Sequence, residues 1–393
     1  MAAANQAPGR DGPVALIVSP HAGHADAQAI AADALRDAGV VVAESLPVSA
    51  LDHRLPRGAE WYRRGIRAAV AAGGDGTLGA VASQVAGSGV ALGILPLGTS
   101  NDSARSLDVP LDLDEACAVI ARGVPTAIDV GQVLPALTEP GALSPQHQAE
   151  QPSTPARDAE EAMLAAHGAY FLHALTLGLN VKFARLATDV ARRERWGPLT
   201  YAASALEALT QFEPVPVVLR LVGVAPNERN GHPVGPEGEL VITRRVAQIA
   251  VVNLPVFGGA INLRLPGSGA QRHLFDFVLI EALEPGALRA TVDGLLAQLS
   301  RLRGNLTGGA DERPLDQPDI ARQRAPIGAG LPGVERFHAS AATIETREGV
   351  DVTLDGEIRA RTPVRIRVAQ DMVHVLLSEE ARERLVAEHG ERA

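Results

Sequence analysis

Cysteine is nearly missing from this 393-residue chain: Cys117 stands alone, so no disulfide can form within it. Chains of that kind are expected in reducing compartments, and a cytoplasmic protein is the natural expectation. Aromatic residues make up only 3% while hydrophobic residues reach 46%, so the cores must be built from Ala, Val, Leu and Ile. No stretch approaches the roughly 20 consecutive apolar residues that cross a bilayer as a helix. Met1–Pro13 is small and polar and has no apolar segment of the signal-peptide kind. A basic excess is missing too. Lys and Arg total 36 against 46 for Asp and Glu, giving a net charge of −10. That balance argues against nucleic acid as the main ligand, because counterion release needs a concentrated basic surface. Purely electrostatic docking on an anionic membrane is disfavoured for the same reason.

What is present suggests two units, for which the length suffices. In the first third, β-type runs (Val14–Ser19, Val40–Glu44, Ile66–Ala72, Val90–Pro96) alternate with helical stretches such as Ala25–Ala38. That alternation predicts a parallel sheet with helices on both faces. From Tyr170 onward β-type runs dominate, many of them alternating as half-buried antiparallel strands do. These are Tyr170–Leu177, Val215–Gly223, Glu239–Leu254, His273–Ala282, Ala341–Arg347, Val350–Leu354, Val364–Ala369 and Met372–Leu377. Helices are expected over Val181–Arg195, Leu199–Gln211, Leu288–Arg303 and Glu379–His389. Leu134–Gly168 holds five prolines among polar and small residues, and Gly304–Gly333 is rich in Gly, Pro and charge; both read as mobile insertions.

Two glycine turns carry the chemistry. Gly73-Gly74-Asp75-Gly76-Thr77 follows an apolar strand and precedes a helix expected over Leu78–Val85. Glycines let the backbone approach a phosphate, and the amides opening the helix complement its charge. Asp75 would repel a phosphate directly, so it suits a Mg²⁺ or metal-water ligand, or an acceptor from a substrate hydroxyl. The second turn, Pro96-Leu97-Gly98-Thr99-Ser100-Asn101-Asp102, again joins strand to helix. Its hydroxyls, amide and carboxylate supply what a Mg-nucleotide needs, although Ser100, Asn101 or Asp102 would equally cap the next helix. In a parallel sheet both turns open on the same carboxyl edge.

GGDGT followed by PLGTxND resembles the catalytic domain shared by diacylglycerol kinases, sphingosine kinases and bacterial lipid kinases. Further matches follow in the family's order: Ile128-Asp129-Val130-Gly131, Phe171–Gly178, Gly197–Tyr201, Val252-Asn253-Leu254 with Phe257-Gly258-Gly259, and Val352–Glu357 ending in Asp-Gly-Glu. The resemblance implies an α/β nucleotide-binding domain over 13–131, of the NAD-kinase and diacylglycerol-kinase kind. It implies a mainly antiparallel β-rich lipid-substrate domain over 132–378, with the C-terminal helix, 379–390, packing back on the first domain. It also implies that ATP, carrying Mg²⁺, is bound by Ser19, Gly23, Gly73, Gly74, Asp75, Gly76, Thr77, Gly98, Thr99 and Asn101. Asp75, Asp102 and Asp129 would arrange the metal, and Glu357 would take the proton of a lipid hydroxyl, with Asp75 also catalytic. The partners implied are ATP, a lipid alcohol such as diacylglycerol, and transient contact with a membrane surface; a homodimer is compatible with all of this.

The chain departs from the family pattern at three places. Ser19-Pro20-His21-Ala22-Gly23 stands where Asn-Pro is usual, Gly79-Ala80 where Asn-Glu is usual, and Gln271-Arg272-His273 where Asp-Asp-Gly is usual, although Asp276 remains. No divalent ion is expected in the loop 266–276. Two rival readings are a kinase of a soluble substrate such as NAD, and a catalytically impaired lipid- or nucleotide-binding protein. Cys117 reads as core, His21 and His24 lack partners for zinc, and Arg192, Arg193, Arg195 and Trp196 read as a solvated helix face.

Overall fold

The computed structural model describes residues 12–19, 27–52, 55–135, 168–178, 213–257, 263–264, 273–281 and 333–390. Four short strands open it: β1 (Val14–Val18), β2 (Val42–Pro47), β3 (Ala68–Gly73) and β4 (Ala91–Pro96). They lie in the order β2-β1-β3-β4, all parallel. β1, β3 and β4 are buried along their whole length, as strands covered on both faces must be. The covering helices are α1 (Ala27–Asp37) and α5 (Leu113–Arg122) on one face, burying Ala31, Leu35, Ala116, Cys117 and Ile120. On the other face α3 (Asp75–Val85) buries Leu78, Val81, Ala82 and Val85. The short helices α2 (Gly58–Arg63) and α4 (Asp102–Ser106) complete this part. With few aromatics, small side chains let helices sit close to the sheet, and Trp61 of α2 is the one fully buried tryptophan among the described residues.

The remaining strands are β5 (Val124–Pro135), β6 (Ala169–Phe171), β7 (Ala174–Gly178), β8 (Val215–Val222) and β9 (Leu240–Val252), then a small hairpin, β10 (Val256–Phe257) with β11 (Leu263–Arg264). After these come β12 (Phe275–Glu281), β13 (Val334–Ala339), β14 (Ala341–Thr346), β15 (Asp351–Leu354), β16 (Glu357–Arg361) and β17 (Val364–Leu377). Pairing within this set is antiparallel throughout. The expected fold class is therefore borne out: a parallel α/β unit and a β-rich, antiparallel remainder. The two are joined in one 15-stranded sheet, because Val375 of β17 pairs in parallel with Leu92 of β4. A division between 131 and 132 falls inside β5, whose ladder with β17 runs from Val124 to Pro135. The C-terminal helix α6 (Glu379–Gly390) places Ala381 and Leu385 in the same core cluster as α3.

Several boundaries differ from those read in the sequence. β17 is one strand where two were expected; its ladder with β5 is irregular between Ala369 and Val373, and Asp371 takes a left-handed φ of 52°. Neither β13 nor β16 is among the strands read from the sequence. Among the described residues β13 pairs only with β12 and β16 only with β15, so neither needs the alternating apolar pattern that marks an internal strand. α3 starts at Asp75, three residues before the expected Leu78, so three of the five GGDGT residues are helical. The predicted helices within 181–211 and 288–303, and the insertions over 136–167 and 304–332, lie outside the described residues. Among the described residues no helix is long and apolar enough to cross a membrane.

The strand pair β12–β13 carries a buried charge cluster. Asp276, the acid left standing beside Gln271–His273, has a fully buried side chain and accepts from Arg336 Nε at 2.5 Å and Nη2 at 2.7 Å. His338 Nε2 lies 3.1 Å from Asp276 Oδ1, and His338 Nδ1 lies 2.9 Å from Glu228 Oε1. Burial alone would raise the Asp276 carboxyl; contacts with His338 and Arg336 outweigh it and hold the group below its ordinary 3.8. The same contact with Asp276, opposed by burial and aided by Glu228, raises His338 above its ordinary 6.5. Asp276 is thus already neutralised by cations.

The signs of these shifts set a pH window. The Asp276 contribution is present above pH 3.8 and is lost as pH falls through the depressed folded value. The His338 contribution is present below pH 6.5 and is lost as pH rises through the elevated folded value. Asp276→Ala should cost about 3–5 kcal/mol by leaving Arg336 without its buried partner. Thermal melts across pH should show the gap between parent and variant widest between these two ordinary values and narrowing above them as His338 deprotonates. A gap that is flat through the alkaline side would show that His338 contributes nothing.

Candidate active site

At the carboxyl edge of the parallel strands the two glycine turns are in direct contact. A Cβ on Gly98 would fall 2.3 Å from Gly74 Cα and 2.9 Å from Gly74 N, so only glycine fits there. Asn101 holds the second turn together from within. Its side chain donates to Pro96 O at 3.1 Å and Gly98 O at 2.8 Å, and accepts from Gly98 N at 3.0 Å. Its backbone is left-handed (φ 51°), which Asn tolerates better than most residues. Asn101 is therefore a brace of the loop, with its amide committed to the backbone. Thr99 is exposed on the rim of this turn.

Asp75 bridges the two turns. Its Oδ1 accepts from Ser103 N at 2.7 Å and its Oδ2 from Asp102 N at 3.1 Å. It thereby satisfies the first amides of α4 from the first residue of α3, a cap supplied from another helix. Each oxygen keeps a lone pair for a further ligand. Thr77 and Ser19 close in on the first turn from the other side: a Cβ on Gly73 would meet Thr77 Oγ1 at 2.5 Å and Ser19 Cβ at 3.0 Å. Gly23 lies outside the described residues.

The Asp-Gly-Glu turn reaches the same place. Asp355 (φ 50°) and Gly356 (φ 88°) are consecutive left-handed residues joining β15 to β16, the two-residue hairpin geometry that Asp-Gly favours. The exposed Glu357 then stands over α3, with its Oε1 3.7 Å from the position of a Cβ on Gly76. Asp355 itself turns inward. Its carboxylate accepts from Leu172 N (2.8 Å), His173 N (2.8 Å) and Ala174 N (3.1 Å). Burial raises this carboxyl above its ordinary value, against the pull of those three amides and of His173.

Asp129 belongs to a different constellation. It is 1% exposed; Oδ2 accepts from both the backbone N and the ring Nδ1 of His273 at 2.9 Å, and Oδ1 from Asp371 N at 3.1 Å. The Asp129 carbonyl accepts from Asn253 Nδ2 (2.9 Å), which also donates to Leu172 O (2.8 Å). The three acids expected to arrange a metal are thus not gathered into one set. Among the described residues no group of three or more His, Cys, Asp and Glu is placed to hold a metal ion. What remains suits a metal delivered with its own phosphate ligands: hard carboxylate oxygens at Asp75 and Asp102, one of them rigidly held.

Comparison with known proteins agrees with the motifs. Residues 13–133 match the family model described as the diacylglycerol kinase catalytic domain. The resemblance read from the sequence is borne out there. Among curated relatives, the "Probable lipid kinase YegS-like" of Klebsiella pneumoniae (strain 342) is 47% identical over 72 residues, 17% of this chain and 24% of that protein. The "Probable lipid kinase YegS" of Escherichia coli O1:K1 / APEC is 45% identical over 78 residues, 19% of this chain and 26% of that protein. The chain spans about a quarter of the length of the curated relatives it matches. A crystal structure of a diacylglycerol kinase from Bacillus anthracis str. Sterne superposes with a TM-score of 0.50 at 16% identity, covering 94% of this chain and 98% of that one. A second structure from that organism gives 0.55 at 17% identity with the same coverage. These two likenesses concern the fold.

The departure from the family pattern at Gly79 has a steric counterpart. A Cβ there would lie 2.2 Å from Asp355 Oδ2, so the carboxylate occupies the space of a side chain. Sequence reading passed over Asp355, the Asp129–His273 bond and the clamp of Asn253; the Asp-Gly dipeptide was the one available signal for the first. Gly98→Ala should destabilise the domain by about 1–3 kcal/mol, because the two turns must separate to admit a methyl group. Urea unfolding of the purified variant checks this, and an unchanged midpoint would mean that the turns are further apart than described.

Proposed function

We propose that this protein is an ATP-dependent lipid kinase that transfers the γ-phosphoryl group to the hydroxyl of diacylglycerol or a similar lipid alcohol. The observation that carries this reading is the convergence of Glu357 with the amide-rich start of α3, between two turns that touch. The relatives' names and the matched family model point the same way.

In this reading the amides of Gly74, Gly76 and Thr77 and the hydroxyls of Ser19, Thr77 and Thr99 cradle the phosphates. Asp75 and Asp102 would hold the Mg²⁺ that accompanies the nucleotide, and the metal would supply charge neutralisation for the transferred phosphoryl group. Glu357 accepts the proton of the lipid hydroxyl as its oxygen attacks the γ-phosphorus. The bond from the γ-phosphorus to the β–γ bridging oxygen breaks, and ADP leaves with that electron pair. Catalysis of this kind rests mainly on positioning and electrostatics, so braces such as Asn101 are part of the machinery. The acceptor approaches from a membrane surface, which the protein visits transiently, and the cytoplasm is its proposed location. Self-association as a homodimer is compatible with this scheme.

Glu357→Gln keeps size and removes basicity. Assayed with labelled ATP and a panel of lipid alcohols, it should lower phosphorylation by about a hundredfold or more, with Mg-ATP affinity within a few-fold of the parent. Asp75→Asn should weaken both turnover and Mg-ATP binding, since that carboxylate serves the metal and the α4 amides together. Near-parental turnover by the Gln variant removes Glu357 from the base role. Phosphorylation of NAD in preference to every lipid overturns the lipid reading.

A further inference from the structure

Gly79 sits in the second turn of α3, where nothing in its backbone calls for glycine: it is helical and buried. Glycine is among the poorest helix formers, so alanine there should by propensity alone strengthen the helix. What forbids alanine is Asp355. Virtual Cβ contacts fall at 2.2 Å to Oδ2 and 2.8 Å to both Cβ and Cγ of that residue. A carboxylate lying flat on a helix backbone is unusual, and it is held there by three amides of residues 172–174. The same residue is the first of the left-handed pair whose second neighbour onward is Glu357.

We infer that Asp355 and Gly79 form a positioning device: the Asp355 carboxylate, seated on Gly79 and anchored to the segment 172–174, sets how far Glu357 stands from the GGDGT turn. This rests on the kinase reading above. Asp355 touches no reacting atom in that scheme; it acts through Glu357. The chain from contact to chemistry is short. Asp355 Oδ2 packs on Gly79, Gly356 completes the hairpin, and Glu357 Oε1 faces Gly76, one helical turn before Gly79. Any group added on Gly79 pushes the hairpin outward and withdraws Glu357, while the nucleotide turns, braced separately by Asn101 and Asp75, stay in place.

Four proteins test this: Gly79→Ala, Asp355→Gly, the double variant, and Asp355→Asn. Asp355→Gly keeps the left-handed backbone and removes the carboxylate, so it opens the space that Gly79→Ala needs. Gly79→Ala alone should lower kcat for lipid phosphorylation by roughly 10–100-fold, since a displacement of about 1 Å from productive geometry carries such costs. KM for Mg-ATP should move less than about threefold. In the Asp355→Gly background the same alanine should change kcat by less than about twofold. Asp355→Asn is isosteric, but turns an NH₂ towards the Leu172 or His173 amide; it should also lower kcat with KM for Mg-ATP steady. It carries the test if Gly79→Ala does not fold. Equal loss from Gly79→Ala in both backgrounds, or a rise in KM for Mg-ATP matching the fall in kcat, overturns the proposal. If the parent protein phosphorylates no lipid alcohol, the kinase reading fails. The contact is then still decided by urea midpoints: Gly79→Ala must lower the midpoint with Asp355 present and not in its absence.

Discussion

The antiparallel ladder between β5 and β17 is the connection on which the other parts depend. β17 begins among the antiparallel strands, beside β14, and ends beside the parallel β4. Through it a chain whose two parts follow different construction rules shares one hydrogen-bonded sheet. β5 lies alongside it and pairs also with β6, and the segment 172–174 that follows β6 anchors Asp355. At the irregular point of the ladder sits Asp129, bonded to Asp371 on β17 and to His273 just before β12. Asp129 itself is buried, whereas His273 and Asp371 are exposed, so the carboxylate ties two surface residues to the core.

Carboxylates near the proposed site divide their labour in a way composition does not reveal. Asp75, Asp129 and Asp355 all accept backbone amides, two or three donors each, and all are attached to segments distant in sequence. A carboxylate accepting main-chain N–H groups is strongly oriented, because amide positions are fixed by the strands and helices that carry them. Glu357 differs: it is exposed, and among the four it alone is placed to reach outward. An acid that must meet an incoming hydroxyl needs that freedom, whereas the acids around it need the opposite.

Much of this was legible in the sequence, and what was not follows a physical pattern. The parallel strands declared themselves because Val14–Val18 and Ala68–Gly73 are buried on both faces and read as unbroken apolar runs. The glycine turns did so because close backbone approach allows no substitute at Gly98. Strands β13 and β16 did not, since each pairs with one strand among the described residues and their polar residues break the apolar alternation. Asp129 was assigned to a metal on motif order alone; its partners, His273 and Asp371, are 144 and 242 residues away, beyond any local signal. Gly79 looked like a loss relative to the family's pattern. Its meaning lies in Asp355, 276 positions later, and spacing rules carry no information at that range.

The contact between Gly79 and Asp355 also bears on how such a chain can change over generations. An alanine or serine at position 79 meets an occupied volume unless the hairpin shifts or its residue changes. A smaller residue at 355 gives up three amide partners unless something at 79 reaches across to replace them. In this chain, then, a change at one site must be answered by a shift of the hairpin or by a change at the other.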